Sequence, residues 1–272
     1  DISEVLPYQT VPVSLLNDME AIGYGIFLGN GEDKLKKLSS ETHQTDPKDR
    51  RALMLVAEGS GKACWYWNER EEALRPLSSE GGHADYASRT DDEYKLLKML
   101  REEKEQNNDK SPVSSENVLS KTGLEKIYQF MKENRKYSDE SVELSQSIEK
   151  SNKKASLIIE KALQQNDPDL MCNDALDMFL SIWGAEAGNL ALWFNARGGV
   201  YIGGITIPIE RLKKSDFIKK FNQRVSHISD KGQIPVKVFS MEEDIVLWGA
   251  ARFAIDNAFV TRGKAAIAAM EQ

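Results

Sequence analysis

The sequence predicts an α/β protein, and three observations carry that reading. Short apolar runs of strand length alternate with segments of helical periodicity. Glycine pairs and Gly-Ser turns sit at the junctions between them. One long segment, from Asn173 to about Asn195, repeats Leu176, Phe179, Leu180, Trp183, Ala187, Leu190, Ala191 and Phe194 at the spacing of a buried helical stripe.

Taken in order, Val11, Val13, Leu15 and Leu16 read as a short strand ending at the polar pair Asn17-Asp18. A helix follows from Met19, with Asp18 able to cap it, and Gly29-Asn30-Gly31 closes the segment. Residues 32–51 are charged and polar and read as a surface loop with an Asp46-Pro47 turn. Ala52–Ala57 and Lys62–Trp67, separated by Gly59-Ser60-Gly61, predict a hairpin. Leu74–Leu77 leads into a glycine-rich turn ending at His83.

Thr90 or Asp91 caps a helix carrying Tyr94, Leu96, Leu97 and Leu100. The charged run Arg101–Lys110 reads as its solvated end and a loop. Ser114 or Ser115 caps a further helix through Val118, Leu119, Leu124, Ile127, Tyr128 and Met131. Residues 132–170 predict one or two peripheral helices. After Gly198-Gly199 come the strand Val200–Ile202, the pair Gly203-Gly204, and a helix with Phe217, Ile218 and Phe221. A strand follows over Ile234–Phe239, whose Pro235 suits only a strand start or edge. A last helix starts near Glu242.

The 272 residues suffice for one large domain or two modest ones, with a core that needs no staples. No apolar run reaches the length of a membrane span, and no secretory signal opens the chain. The net charge of −7 argues against a general binder of nucleic-acid phosphates. Cys64 and Cys172 form no disulfide framework; they read as buried small hydrophobes and point to a reducing cytoplasm. With three histidines and no Cys-x-x-Cys or His-Glu-x-x-His, no protein-held metal site is predicted.

Several residues carry chemistry. Gly59-Ser60-Gly61-Lys62 is either a plain hairpin turn or an anion cradle of backbone N–H groups with the Ser60 hydroxyl. It is not a P-loop, because Val56 and Ala63 stand where that motif needs Gly and Ser/Thr. Gly203-Gly204 either turns the chain or admits a ligand close to the backbone. Asp18, Glu80, His83 and Glu116 are caps and surface charges if taken singly. As a group they offer acceptors and a donor for the hydroxyls of a sugar.

The ordered set of motifs resembles the bacterial-type, ATP-dependent glucokinases of the actin-like sugar-kinase superfamily. It runs Leu15-Leu16-Asn17-Asp18, Gly59-Ser60-Gly61, Glu80-Gly81-Gly82-His83-Ala84-Asp85-Tyr86-Ala87 and Glu116-Asn117-Val118-Leu119-Ser120. It continues through Gly184-Ala185-Glu186-Ala187-Gly188-Asn189-Leu190-Ala191-Leu192, Gly198–Ile205, Ile234-Pro235-Val236 and Leu247-Trp248-Gly249-Ala250-Ala251. The Glu-Gly-Gly-His element and the Gly-Asn-Leu-Ala helix are the specific ones.

The resemblance implies an actin-like (ribonuclease H-like) fold with two lobes around a cleft. Residues 1–28 would be a remnant of a small α/β domain, 29–241 the large domain, and 242–272 a C-terminal helix returning towards the small one. It implies transfer of phosphate from ATP to the 6-hydroxyl of D-glucose, the step by which glucose enters glycolysis. Asp18 would be the general base. Asn17, Asp18, Glu80, His83 and Glu116 would bind the sugar. Gly59, Ser60 and Gly61 would hold ATP phosphates, and Gly203 and Gly204 would line the adenosine side. Mg²⁺ would come with the nucleotide, and a cytoplasmic homodimer with neither nucleic-acid nor membrane partners would be expected.

The sequence departs from the family in places. The family's Asp-x-Gly-Gly-Thr hairpin does not occur, and the chain opens at Asp1 without Met, which reads as a trimmed chain or fragment. Little kinase activity and an exposed apolar patch are expected of such a chain. Gly59-Ser60-Gly61-Lys62-Ala63 replaces the family's Gly-Thr-Gly-Leu-Gly, with Lys62 either on phosphate or solvated. Gly203-Gly204-Ile205-Thr206-Ile207-Pro208 has one extra residue before Pro, and Lys121-Thr122 stands where the family has Gly-Pro. A non-catalytic sugar-binding module and a kinase for another hexose are the alternatives.

Overall fold

The structure is a computed structural model. It describes residues 14–28, 35–39, 45–134, 142–164, 166–228, 234–241 and 244–270, with the side chains of 142 and 258–270 left aside. Two compact units result. Residues 1–33 and 242–272 form one, and Lys34–Met241 form the other.

In the first unit, helix α1 (Asp18–Phe27) packs on helix α10 (Ile245–Met270). The contact is close because two glycines face each other's helix. A Cβ on Gly249 would overlap the Ala21 carbonyl, and one on Gly25 would overlap that of Ile245. Tyr24 and Phe253 meet edge to face, with ring centroids 5.2 Å apart. Val246, Leu247, Trp248 and Ile255 on α10 are exposed.

The second unit is built on a sheet of β1 (Lys36–Lys37), β2 (Arg51–Val56), β3 (Ser60–Asn68), β4 (Ala73–Ser79), β5 (Val200–Gly204) and β6 (Val236–Val238). Its order is β1-β6-β5-β2-β3-β4. β2, β5 and β6 run parallel, while β1, β3 and β4 are antiparallel to their neighbours. Ala52, Met54 and Val56 of β2 and Val200 and Ile202 of β5 point into the main core, and Leu53 is buried on the opposite face. That explains an unbroken apolar run where a one-sided strand would alternate.

Five helices follow β4: α2 (Asp91–Gln106), α3 (Ser115–Val118), α4 (Lys121–Asn134), α5 (Val142–Lys150) and α6 (Lys154–Ala162). Then come the long α7 (Leu170–Phe194) and, after β5, α8 (Ile209–Lys214) and α9 (Phe217–Val225). α7 starts where Asp169 Oδ1 accepts the Cys172 N–H at 2.8 Å and stops at Asn195 in the left-handed region. Phe179, Trp183 and Phe217 form an edge-to-face ladder that locks α7 to α9. Both cysteines are buried, as expected.

Several sequence expectations need correction. Residues 14–17 form no strand, and Leu15 is 82% exposed; Val11, Val13 and Gly29-Asn30-Gly31 lie outside the described residues. The cap of α1 is Asn17, whose Oδ1 accepts the Met19 N–H at 2.9 Å, and Asp18 is the first helical residue. The segment before Glu80 is a strand, β4, paired with β3 along its whole length. Tyr94 is exposed, so the inward face of α2 is Glu93, Leu96 and Leu100, with Leu97 half-buried beside them. The helix expected after Ser114 is two, because Ser120 Oγ accepts the Gly123 N–H at 3.0 Å and restarts the chain as α4. The last helix begins at Ile245.

Candidate active site

The candidate residues of the second unit gather at the carboxyl ends of β2 and β5. Such ends are where open parallel sheets bind ligands. β2 turns into β3 through Glu58-Gly59, closed by a hydrogen bond from the Ala57 N–H to the Gly59 carbonyl at 2.8 Å. The pairing register places Ser60 on one side of Val56 and Gly204 on the other. Gly204 has φ +109, and a side chain there would overlap the Val56 carbonyl, so only glycine fits. Gly203 is crowded as well. The Phe239 ring fills the space beside it, which is therefore occupied by the protein rather than left for a ligand.

The Glu-Gly-Gly-His element reaches the same place. Gly81–His83 form one 3-10 turn. Gly82 lies against the Ser60 carbonyl so closely that a Cβ would overlap it. The turn holds Glu80 and His83 outwards, with Glu80 Oε2 and His83 Nε2 3.9 Å apart and both exposed. The strand-like segment after it is pinned to α3. Ser115 N–H donates to the Ala84 carbonyl at 2.7 Å, and Tyr86 N–H to that of Val113 at 2.8 Å. A capping box between Ser114 and Asn117 fixes the start of α3 and so the direction of Glu116.

Glu116 Oε2 accepts the Ser60 N–H at 2.9 Å. This amide does not stand free for an anion, contrary to the sequence expectation, because a carboxylate of the protein already uses it. The Ser60 hydroxyl is buried and has no hydrogen-bond partner, an arrangement that normally costs free energy unless a ligand or water completes it. A pocket of about 320 Å³ opens on the far side of Glu116, bordered by Glu58, Asn117, Ser120 and Lys126. Gly59, Ser60, Gly61, Glu80, His83, Glu116, Gly203 and Gly204 thus belong to one neighbourhood of one unit. Asn17 and Asp18 belong to the other unit, at the exposed N-terminus of α1.

Lys62 also differs from the expectation. It is neither solvated nor turned to the Gly59–Gly61 turn: its side chain is buried, and Nζ donates to Glu186 Oε1 at 2.6 Å and to Ser115 Oγ at 3.1 Å. Glu186 stands on α7 and also accepts from Arg89 Nη2 and Asn189 Nδ2, each at 2.9 Å. Burial alone would raise the pKa of Glu186, but Lys62, Asn189 and Arg89 outweigh it and hold the carboxyl below its ordinary value. Tyr86 Oη donates to the buried Glu93 at 3.0 Å; burial and that carboxylate push its pKa far up. The sequence reading missed this network of Lys62, Arg89, Glu93 and Glu186. Its one signal was a lysine within the first residues of an apolar strand.

Among the described residues no cluster of His, Cys, Asp and Glu could hold a metal ion, and no helix is long and apolar enough to cross a membrane.

The sheet with its flanking helices is the fold of the actin-like sugar kinases. A solved glucokinase from an Antarctic psychrotroph superposes with a TM-score of 0.66 at 28% identity, over 89% of this chain and 68% of that one. A glucokinase of Balamuthia mandrillaris, solved in complex with glucose, has the same fold with a TM-score of 0.69 at 17% identity, over 88% of this chain and 64% of that one. In sequence, a glucokinase of Nostoc sp. is 34% identical over an aligned length of 251 residues, covering 88% of this chain and 70% of the relative. The model of the family described as Glucokinase matches residues 6–257. The chain belongs to the glucokinase family, and so to the ATP-dependent hexose kinases that phosphorylate glucose.

Proposed function

We propose that the site transfers the γ-phosphoryl group of ATP to the 6-hydroxyl of D-glucose, giving ADP and glucose 6-phosphate, with the following division of labour. Glu80 and Glu116 accept from sugar hydroxyls, while His83 and the Asn17 amide nitrogen donate to sugar oxygens. The Asp18 carboxylate takes the proton of the 6-hydroxyl as its oxygen forms the new bond to phosphorus and the bond to ADP breaks. Gly59, Ser60 and Gly61 receive phosphate, with the unpartnered Ser60 hydroxyl as donor. Gly203 and Gly204 turn the chain on the adenosine side.

With the Ser60 hydroxyl as donor at the turn, Mg²⁺ would come carried on the nucleotide. Bound there, Mg²⁺ neutralises charge on the β- and γ-phosphates. We further propose that the protein works in the cytoplasm as a homodimer. Residues 1–28 are assigned to a smaller α/β domain to which 242–272 return.

The observation that carries this reading is the meeting of Glu116, the Gly81–His83 turn and the Ser60 hydroxyl at one sheet end. Three segments distant in sequence supply sugar acceptors and a phosphate donor together. Asp18→Ala tests the catalytic part. Its kcat for glucose 6-phosphate formation should fall by about 10²–10⁴, with the fold kept. Unchanged kcat would remove Asp18 from the mechanism. The wild-type rate in the same coupled assay tests the expectation of slow turnover by a sequence without Asp-x-Gly-Gly-Thr.

A further inference from the structure

The surroundings of the buried Lys62 give it a role. The lysine stem lies under the Gly81–Gly82 turn, with Cδ 3.1 Å from where a Cβ of Gly81 would stand. Its carbonyl accepts the Ser79 Oγ–H at 2.8 Å, and Ser79 Oγ in turn accepts the Gly81 N–H at 3.2 Å. Its ammonium ends on Ser115, next to Glu116, and on Glu186 of α7. One residue therefore braces the strand end that carries Glu80 and the helix start that carries Glu116, and anchors both to the longest described helix of this unit.

We propose that Lys62 is a positioning residue for sugar recognition, fixing the spacing of Glu80 and His83 relative to Glu116 through its bonds to Ser115 and Glu186. The inference rests on the reading that those three residues hold glucose. A buried ammonium suits the task because its bonds are charge-assisted and because no water competes for them. A leucine at this position could fill the space but could not tie α3 to α7.

The test is titration calorimetry of the whole chain with glucose and with its C2 epimer mannose, on the wild type and on Lys62→Met. Methionine keeps the length and apolar stem and removes the charge. The wild type should bind glucose. The variant should bind it about tenfold more weakly, the size expected on losing a charge-assisted hydrogen bond, and its preference for glucose over mannose should narrow. A purely structural role would lower the melting temperature and leave that preference alone.

Equal glucose affinity and equal preference in a folded Lys62→Met would overturn the inference while leaving the sugar site intact. Failure of the wild type to bind glucose would overturn the sugar site itself and this inference with it. If Lys62→Met does not fold, Ser115→Ala removes only the arm to α3. It should weaken glucose binding by about threefold to tenfold, as for the loss of one hydrogen bond from a charged donor, and an unchanged affinity there counts against Lys62.

Discussion

Replacing Gly82 with alanine puts a methyl group onto the Ser60 carbonyl oxygen. The backbone on both sides is committed, to β3 on one and to the 3-10 turn on the other, so neither can yield cheaply. Overpacking of this kind costs about 1–3 kcal/mol, and the displaced turn carries Glu80 and His83 with it. Gly82→Ala should therefore lower the melting temperature by calorimetry and weaken glucose binding, whereas an unaltered affinity would detach the turn from the sugar. The thiols give a second residue-scale check. Burial pushes the Cys64 pKa up to about 11 against the opposing pull of Arg50, and burial with Asp169 raises that of Cys172 as well. At about pH 8, where an unperturbed thiol is substantially ionised, neither should react with iodoacetamide until the chain is unfolded. Mass spectrometry after labelling reads this directly. At this scale the sequence was informative where a motif fixes a residue type, as for Gly82 and Glu116. It misplaced Lys62, expected on phosphate or in solvent, because spacing does not reveal whether a lysine points to water or into a core.

Helix α7 carries Glu186 into that core, and its charge is linked to pH. The folded pKa of Glu186 lies below its ordinary value of 4.5. A carboxyl with a depressed folded pKa contributes stability that is present above the unfolded pKa and is lost as pH falls through the folded one. The wild type should accordingly lose stability as pH drops below about 4.5, and Glu186→Gln should lose less over the same interval. At neutral pH the same variant leaves Lys62 buried without its carboxylate, which costs roughly 3 kcal/mol. Denaturant melts at a series of pH values separate the two effects, and parallel pH profiles would refute the linkage. At this scale the strongly periodic helices were legible, α7 above all, since its apolar stripe decides its length and face. β4 was not, because Arg75 and Pro76 interrupt the strand pattern and Pro is tolerated only at an edge such as this one. The break between α3 and α4 was hidden for a similar reason. Val118 and Leu124 are both buried, so the apolar pattern runs on across Ser120, and only its hydroxyl marks the restart.

At the scale of the molecule, the proposed sugar ligands come from both ends of a long stretch of chain. Asn17 and Asp18 lie in the unit made with α10, while Glu80, His83 and Glu116 lie in the sheet-bearing unit. A ligand that binds only the native state stabilises it by mass action, by about 2.7 kcal/mol at a concentration a hundredfold above Kd. Glucose should therefore raise the melting temperature of the chain, and the size of the rise at fixed glucose reports the affinity that the proposed ligands supply. Asn17→Ala complicates the measurement because the same side chain caps α1, so its own cost of about 1 kcal/mol must be taken from the sugar-free melt. Asp18→Asn preserves size and hydrogen bonding and gives the cleaner comparison. Asp18→Asn and Glu116→Gln should each shrink the glucose-induced rise, and the double variant should shrink it further. A rise that responds to Glu116→Gln and ignores both Asn17→Ala and Asp18→Asn would confine sugar binding to the sheet-bearing unit and leave the chain without its proposed base.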